Sequence, residues 1–212
     1  MTQPIVVTGT DTGIGKTVFS AALTQALAAT YWKPVQSGLE EETDTQTVKR
    51  LTGCAVLPEA YRLQIPASPH YSAEEEGVLI ECGSLDLPQV SGPLVMEGAG
   101  GVMVPLTRET LYIDLFKTWQ SPVVLCARTG LGTINHSLLS IEALRLRGCS
   151  LLGIVFIGDE VADTERTIVE YAGVKKLGRF PVLKEITTKT IEAAFSDNFR
   201  LEDFCLQDGK GA

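Results

Sequence analysis

Between an apolar run and the first helical pattern, the chain places Gly9-Thr10-Asp11-Thr12-Gly13-Ile14-Gly15-Lys16-Thr17, and few stretches restrict a fold more. Val6-Val7-Thr8 reads as a buried strand, the glycines as a turn whose backbone N–H groups face one concavity, and Lys16 as the start of a helix. A helix N-terminus adds partial positive charge, a lysine there reaches β- and γ-phosphates, and a following threonine hydroxyl can hold Mg²⁺. The guest that suits this clamp is a nucleoside triphosphate, with Gly13, Ile14, Gly15, Lys16, Thr17 and Val18 as its binding residues. The pattern is a variant, because G-x-x-x-x-G-K-[ST] requires glycine where Thr10 stands. Glycines alone would also suit a plain tight turn; Lys16-Thr17 at the helix start selects the phosphate reading.

The remaining chain alternates strand and helix signals. Pro4 to Thr8 is a short apolar strand, and Lys16 to Ala29 a helix with Phe19, Leu23 and Leu27 on one face. Tyr31 to Val35 is the next strand, delivering Lys33 at its end before Pro34 stops pairing. A polar segment with Glu40-Glu41-Glu42 leads to Asp44, which suits an N-cap, and to a helical pattern through Val48 and Leu51 ending at Gly53. Leu57 to Ser91 is poorly legible, interrupted by Pro66, Pro69 and Pro88, with Glu74-Glu75-Glu76 as a solvated face.

Pro93 to Met96 is an apolar strand ending in Glu97-Gly98-Ala99-Gly100-Gly101, which puts a carboxylate at a strand tip beside glycines, as a Walker-B-like Mg²⁺ site requires. Pro122 to Ala127 is another strand, and the helix after Gly130-Leu131-Gly132-Thr133 shows Ile134, Leu138 and Ile141 on one side, with Gly148 as its cap. Leu151 to Ile157 and Lys176 to Phe180 complete the strands. The expected fold is α/β: one P-loop NTPase-like domain over 1–212, a parallel sheet with right-handed crossovers and helices on both faces.

Composition narrows the partners. A formal net charge of −8 and a pI near 4.8 give no long-range attraction for nucleic acid or anionic lipid, so an anionic ligand must be held by local lysines and helix ends. The 5 cysteines form no C-x-x-C pair and no disulfide framework, which fits a reducing cytoplasm. The N-terminus shows no signal-peptide pattern, and no run approaches the ~18 apolar residues of a membrane span, so a soluble, cytoplasmic protein is expected. The 2 histidines, His70 and His136, are too few for a histidine-rich metal centre.

Taken together, the clamp, Lys33-Pro34-Val35-Gln36-Ser37-Gly38, Ser68-Pro69-His70, Glu97-Gly98-Ala99-Gly100-Gly101 and Gly132-Thr133-Ile134-Asn135-His136 closely resemble the dethiobiotin synthetase family, from about residue 4 to about residue 185. The resemblance implies a ligase that uses ATP and Mg²⁺ to close a cyclic urea from CO₂ and 7,8-diaminopelargonate, through a carbamate that is phosphorylated and then attacked by the neighbouring amine. It implies Lys16 and Lys33 as the cations between carbamate and γ-phosphate, with Ser37 and the backbone near Thr12 at the carbamate end. Thr17, Asp44 and Glu97 would hold Mg²⁺. Glu97, Gly98, Ala99 and Gly100 would flank the nucleotide, and Pro181, Val182 and Glu185 would line the purine pocket. A homodimer is implied too, in which Gly132 to Asn135 of one subunit binds the substrate tail held by the other.

The chain departs from this pattern at the end of the strand Gly153 to Ile157, where the family usually carries an asparagine that reads adenine and this sequence has Ile157-Gly158. Two other readings compete. A partitioning-type nucleotide switch has a related fold but a second lysine ahead of the glycines, where Asp11 stands, and it has no use for the Lys33 to Gly38 element. A cobyrinate-type amide synthase would carry a glutaminase domain, for which this chain is too short.

Overall fold

A computed structural model describes residues 3–205. Its main sheet has 6 strands in the order β2-β5-β1-β6-β7-β8, all paired in parallel: β1 (Ile5–Gly9), β2 (Thr30–Trp32), β5 (Leu94–Gly101), β6 (Val123–Arg128), β7 (Leu151–Ile157) and β8 (Lys176–Phe180). Parallel strands need crossovers, and the near-continuous apolar runs of β1, β6 and β7 mark strands covered on both faces. Alternate residues divide accordingly. Ile5, Val7, Val124 and Cys126 pack under α1 (Lys16–Ala26), α2 (Asp44–Thr52) and α7 (Thr188–Asn198), whereas Val6, Leu125 and Ala127 pack under α4 (Tyr112–Trp119), α5 (Thr133–Leu146) and α6 (Ala162–Ala172).

The expected α/β architecture is present, with several boundaries moved. The strand expected over 31–35 splits at Lys33-Pro34: β2 stays in the main sheet, while β3 (Val35–Ser37) pairs with β4 (Tyr61–Leu63) in a separate 2-stranded sheet. Proline donates no ladder hydrogen bond and ends the first pairing. Helix α1 stops at Ala26 rather than Ala29, because Ala28 takes φ 47° and turns the chain into β2. The proline-rich stretch 57–91 holds β4, α3 (Pro69–Glu75) and a 3₁₀ turn at Cys82–Ser84. Glu74 and Glu75 are exposed as expected, but Glu76 accepts from Ile65 N at 2.9 Å and ties α3 to the preceding loop.

Helix α5 differs most from its sequence pattern. Its buried side is Thr133, Ser137, Ser140, Ile141 and Leu144, while Ile134 and Leu139 are exposed. Small hydroxyl side chains let the helix lie close to the sheet, and the larger apolar groups face outward. Gly148, in the left-handed region at φ 70°, follows the C-cap Arg147.

Chain order brings β1 to the centre, with β5 on one side and β6 on the other, so the crevice above the C-terminal end of β1 is the ligand position of such a sheet. On the α1 side the core ends in an aromatic cluster in which Phe19 lies 5.4 Å from Phe199 and 6.3 Å from Phe204, ring centre to ring centre. Phe19 is fully buried, worth about 1.5–3 kcal/mol of burial. Gly178 on β8 makes this packing possible: a Cβ there would stand 2.5 Å from both Asn198 O and Phe199 Cδ1. Gly178→Ala is therefore expected to displace Phe199 and cost about 1–3 kcal/mol, read as a lower urea midpoint with an unchanged m-value.

Candidate active site

The clamp forms at the end of β1. Gly13 and Gly15 sit at φ 68° and 97°, in the left-handed region that glycine tolerates, and Gly15 caps α1. No side-chain cap occupies that helix start, so its N–H groups face the crevice. Lys16 is buried, and its Nζ donates to the carbonyl of Asp11 at 2.7 Å, which holds the ammonium over the loop. Asp11 Oδ1 accepts from Thr12 N at 2.8 Å and its Oδ2 from Arg128 at 3.0 Å, fixing the loop from outside. Ile14 turns inward: its Cδ1 lies 2.7 Å from where a Gly9 Cβ would be, so only its backbone is available to a ligand.

A cavity of about 640 Å³ opens beside this loop, lined by Thr12, Gly13, Gly15, Lys16, Thr17 and Val18 from the clamp and by Lys33, Ser37, Asp44, Glu97, Ala99 and Gly100 from other elements. Its floor is an ionic cluster. Thr17 Oγ1 is 2.9 Å from Asp44 Oδ1 and 3.0 Å from Glu97 Oε1, and Lys33 Nζ is 2.5 Å from Asp44 Oδ2 and 3.4 Å from Glu97 Oε1. A hydroxyl has one proton, so Thr17 donates to one carboxylate at a time while its lone pairs stay available. Three oxygen-bearing side chains thus converge, the donor set that suits a hard divalent cation. Among the described residues no group of three or more His, Cys, Asp or Glu gathers to hold a metal, so a cation here would complete its shell from phosphate and water.

Three structural details place these groups. Glu97 is not at a strand tip: β5 runs on to Gly101, so Glu97 stands mid-strand, 1% exposed. Asp44 is not the N-cap. Thr43 caps α2 in a capping box with Gln46, leaving the Asp44 carboxylate at the first helical position free to turn into the cavity. Lys33 follows the last residue of β2, so its stem leaves the sheet edge toward Glu97.

Burial alone would push the Lys33 ammonium down, but Glu97 and Asp44 outweigh it and hold its pKa above the ordinary lysine value. Burial would likewise raise the Asp44 carboxyl, yet Lys33 and Thr17 bring it below the ordinary aspartate value. Burial lowers Lys16, with Glu97 opposing.

The sequence of the AAA domain family matches residues 3–190. An ATP-dependent dethiobiotin synthetase of Rhodopseudomonas palustris (strain HaA2) is 62% identical over 96% of this chain and 97% of that protein, and one of Agrobacterium fabrum (strain C58) is 58% identical over 96% and 98%. The chain belongs to the dethiobiotin synthetase family. Solved structures share the fold of this synthetase family member at far lower identity. A ParA family ATPase from Chlorobium tepidum superposes with TM-score 0.55 at 10% identity, covering 91% of this chain and 98% of that one. The Pyrococcus furiosus cell division ATPase MinD gives TM-score 0.54 at 13% identity, covering 96% and 98%.

Within this synthetase fold, Gly98 does not line the cavity; its carbonyl accepts from Lys33 at 3.4 Å, and a Cβ on it would stand 3.0 Å from Phe116 Cζ. Pro181, Val182 and Glu185 are outside the cavity, in the loop after β8, and Gly132 and Asn135 are exposed at the start of α5. Sequence reasoning gave no site role to Gln36, Val104 or Pro66 to Pro69, which complete the cavity, although Gln36, Ser68 and Pro69 stand in two of the family elements. Gln36 Oε1 accepts from Asp44 N at 3.3 Å, bracing the start of α2. Its place within Lys33 to Gly38 was the available signal. His70 does not line the cavity; its N–H meets Pro105 O at 3.3 Å.

The stability sign of the cluster follows from its pKa directions. The depressed Asp44 contributes stability that is full above the ordinary aspartate value and lost as pH falls through its folded value. The raised Lys33 contributes stability that is lost only at strongly alkaline pH. Lys33→Met strands two carboxylates and should lower the unfolding free energy at pH 7 by about 3–5 kcal/mol. In urea titrations the difference from wild type should shrink as pH falls below about 4, and a difference constant with pH would refute the assignment.

Proposed function

We propose that the chain is an ATP-dependent dethiobiotin synthetase, converting 7,8-diaminopelargonate, CO₂ and ATP into dethiobiotin, ADP and phosphate. The observation that carries the reading is the convergence of Lys16, Lys33 and the Thr17–Asp44–Glu97 cluster in one cavity at the head of α1, in a chain about 60% identical to such enzymes. One amine of the diamine adds to CO₂ and loses a proton to give a carbamate. A carbamate oxygen takes the γ-phosphoryl group, releasing ADP, and the second amine attacks the carbonyl carbon of the anhydride, expelling phosphate.

Both partners in phosphoryl transfer are anions, so cations must be aimed between them. Lys16 and Lys33 both line the same cavity. Ser37 Oγ, buried without a protein partner, is available to the carbamate, and Thr12 lines the same cavity. Thr17, Asp44 and Glu97 would hold Mg²⁺, which neutralises charge on the transferring phosphoryl group when bound.

The homodimer reading is supported by an apolar surface around Asn135. Met103, Leu131, Ile134 and Leu139 are all exposed, and Met103 and Leu139 line a second cavity of about 450 Å³ that shares Thr12 and Val104 with the first. A second subunit seated on that surface would bring its Gly132 to Asn135 segment to the tail of a substrate held near Thr12. Free cysteines at 54, 82, 126, 149 and 205 suit a reducing cytoplasm, and among the described residues no helix is long and apolar enough to cross a membrane.

The purine is assigned to the loop of Pro181, Val182 and Glu185. Ile157 Cγ2 would lie 3.1 Å from a Cβ on Gly15, and Gly158 N donates to Phe180 O at 3.0 Å, so the ends of β7 and β8 adjoin the phosphate loop.

The reaction is tested by ADP release, expected to require both bicarbonate and diaminopelargonate; release that ignores the diamine would support a nucleotide switch instead. Base choice is a separate expectation. Ile157, 9% exposed and packed on the clamp, offers the base no hydrogen bond. Apolar contact discriminates by only about 10- to 200-fold, so kcat/KM for ATP, GTP and CTP should fall within that span. An ATP advantage above ~10³ would show that another group reads the base.

A further inference from the structure

We propose that Tyr31 is a positioning residue for the cation site, acting through Glu97; the inference rests on the Mg²⁺ role given above to Thr17, Asp44 and Glu97. Tyr31 is opposite Val95 in the parallel register of β2 and β5, which makes Glu97 its diagonal neighbour on the same face of the sheet. Diagonal partners are about 7–8 Å apart, a span that long aromatic side chains can bridge. Tyr31 Oη donates to Glu97 Oε2 at 3.0 Å, and both residues are sealed from solvent at 0% and 1% exposure.

Two features separate this contact from ordinary core packing. A phenylalanine would fill the same space, and a buried hydroxyl costs free energy unless it is bonded. Among the described residues, Glu97 is the only partner of this one. The backbone of Tyr31 is also pinned on its far edge, its N–H donating to Ala55 O and its carbonyl accepting from Leu57 N, both at 2.9 Å. The phenol therefore reaches Glu97 from a fixed base.

The consequence lies in how the two oxygens of Glu97 are used. Oε2 is held by Tyr31 at the sheet, while Oε1 faces Thr17 and Lys33. Tyr31 thereby orients the carboxylate to present one oxygen to a cation and limits its rotation when that cation leaves. Such an outer partner typically sets metal affinity by 10- to 100-fold.

The test uses Mn²⁺ as the probe, read by electron paramagnetic resonance on the full chain with saturating ADP and no diamine, so no turnover is involved. Tyr31→Phe should weaken Mn²⁺ binding by about 10- to 100-fold while metal-free ADP binding changes by less than about twofold. In a Glu97→Gln background the same substitution should add less than about twofold, because its effect passes through that carboxylate. A second readout needs no substitution at the site: with tyrosine labelled at ¹³Cζ and the signal assigned by replacing the other tyrosines, the Tyr31 resonance should move when Mg²⁺ joins ADP. A folded Tyr31→Phe protein that binds Mn²⁺ as wild type does, or a Tyr31 signal unmoved by Mg²⁺, overturns the proposal. Wild-type protein that binds no Mn²⁺ with ADP would instead overturn the cation site itself.

Discussion

A single ammonium group, that of Lys33, is shut into the protein between Asp44 and Glu97, and the active cavity is built around it. Without it, two carboxylates would stand together in a low-dielectric site, where their repulsion and desolvation would force protonation or water entry. With it, the two carboxylates stand close enough to share Thr17. The arrangement demands three separate placements: β2 must end at Trp32, β5 must continue past Glu97, and α2 must be capped one residue early. Each has a local cause in Pro34, in Gly98 to Gly101 and in the Thr43–Gln46 box.

The fold and the site were legible to different degrees for physical reasons. Buried parallel strands announce themselves as apolar runs, so β7 and β8 match their sequence spans to the residue. Helix α5 was misread because its inward face is Thr133, Ser137 and Ser140, residues that single-chain periodicity counts as polar. Its outward leucines and isoleucine are exposed on the described chain. Thr17, Asp44 and Glu97 were legible by type, whereas their geometry was not. An N-cap and a first-turn residue differ by one position in sequence but by the direction of the side chain in space. Tyr31 gave no signal at all, since a tyrosine in a short apolar strand reads as core, and only the register with β5 reveals what its hydroxyl meets.

Likeness to ParA and MinD at 10–13% identity shows how far backbone architecture extends beyond chemistry. The sheet order fixes where phosphates go, because the end of β1 and the start of α1 adjoin in any such fold. It leaves open what stands opposite. Here Asp11, tied to Arg128 at 3.0 Å, presents an acid on the outer side of the clamp, and the inner side is faced by Lys33 and Ser37. Gln36 and Ser37, from the small β3–β4 sheet, thus add a wall to that crevice.

The acidic character of the whole chain bears on how that cavity works. With a net charge of −8, long-range attraction does not draw anionic substrates in. Their binding must come from a few cations at short range, and both lysines are almost fully buried, at 6% and 4% exposure. In that environment Coulomb interactions are screened little by salt and act strongly over a few ångströms. The same burial would make a free ammonium unfavourable, so each lysine is held by acceptors, Lys16 by the Asp11 carbonyl and Lys33 by its two carboxylates.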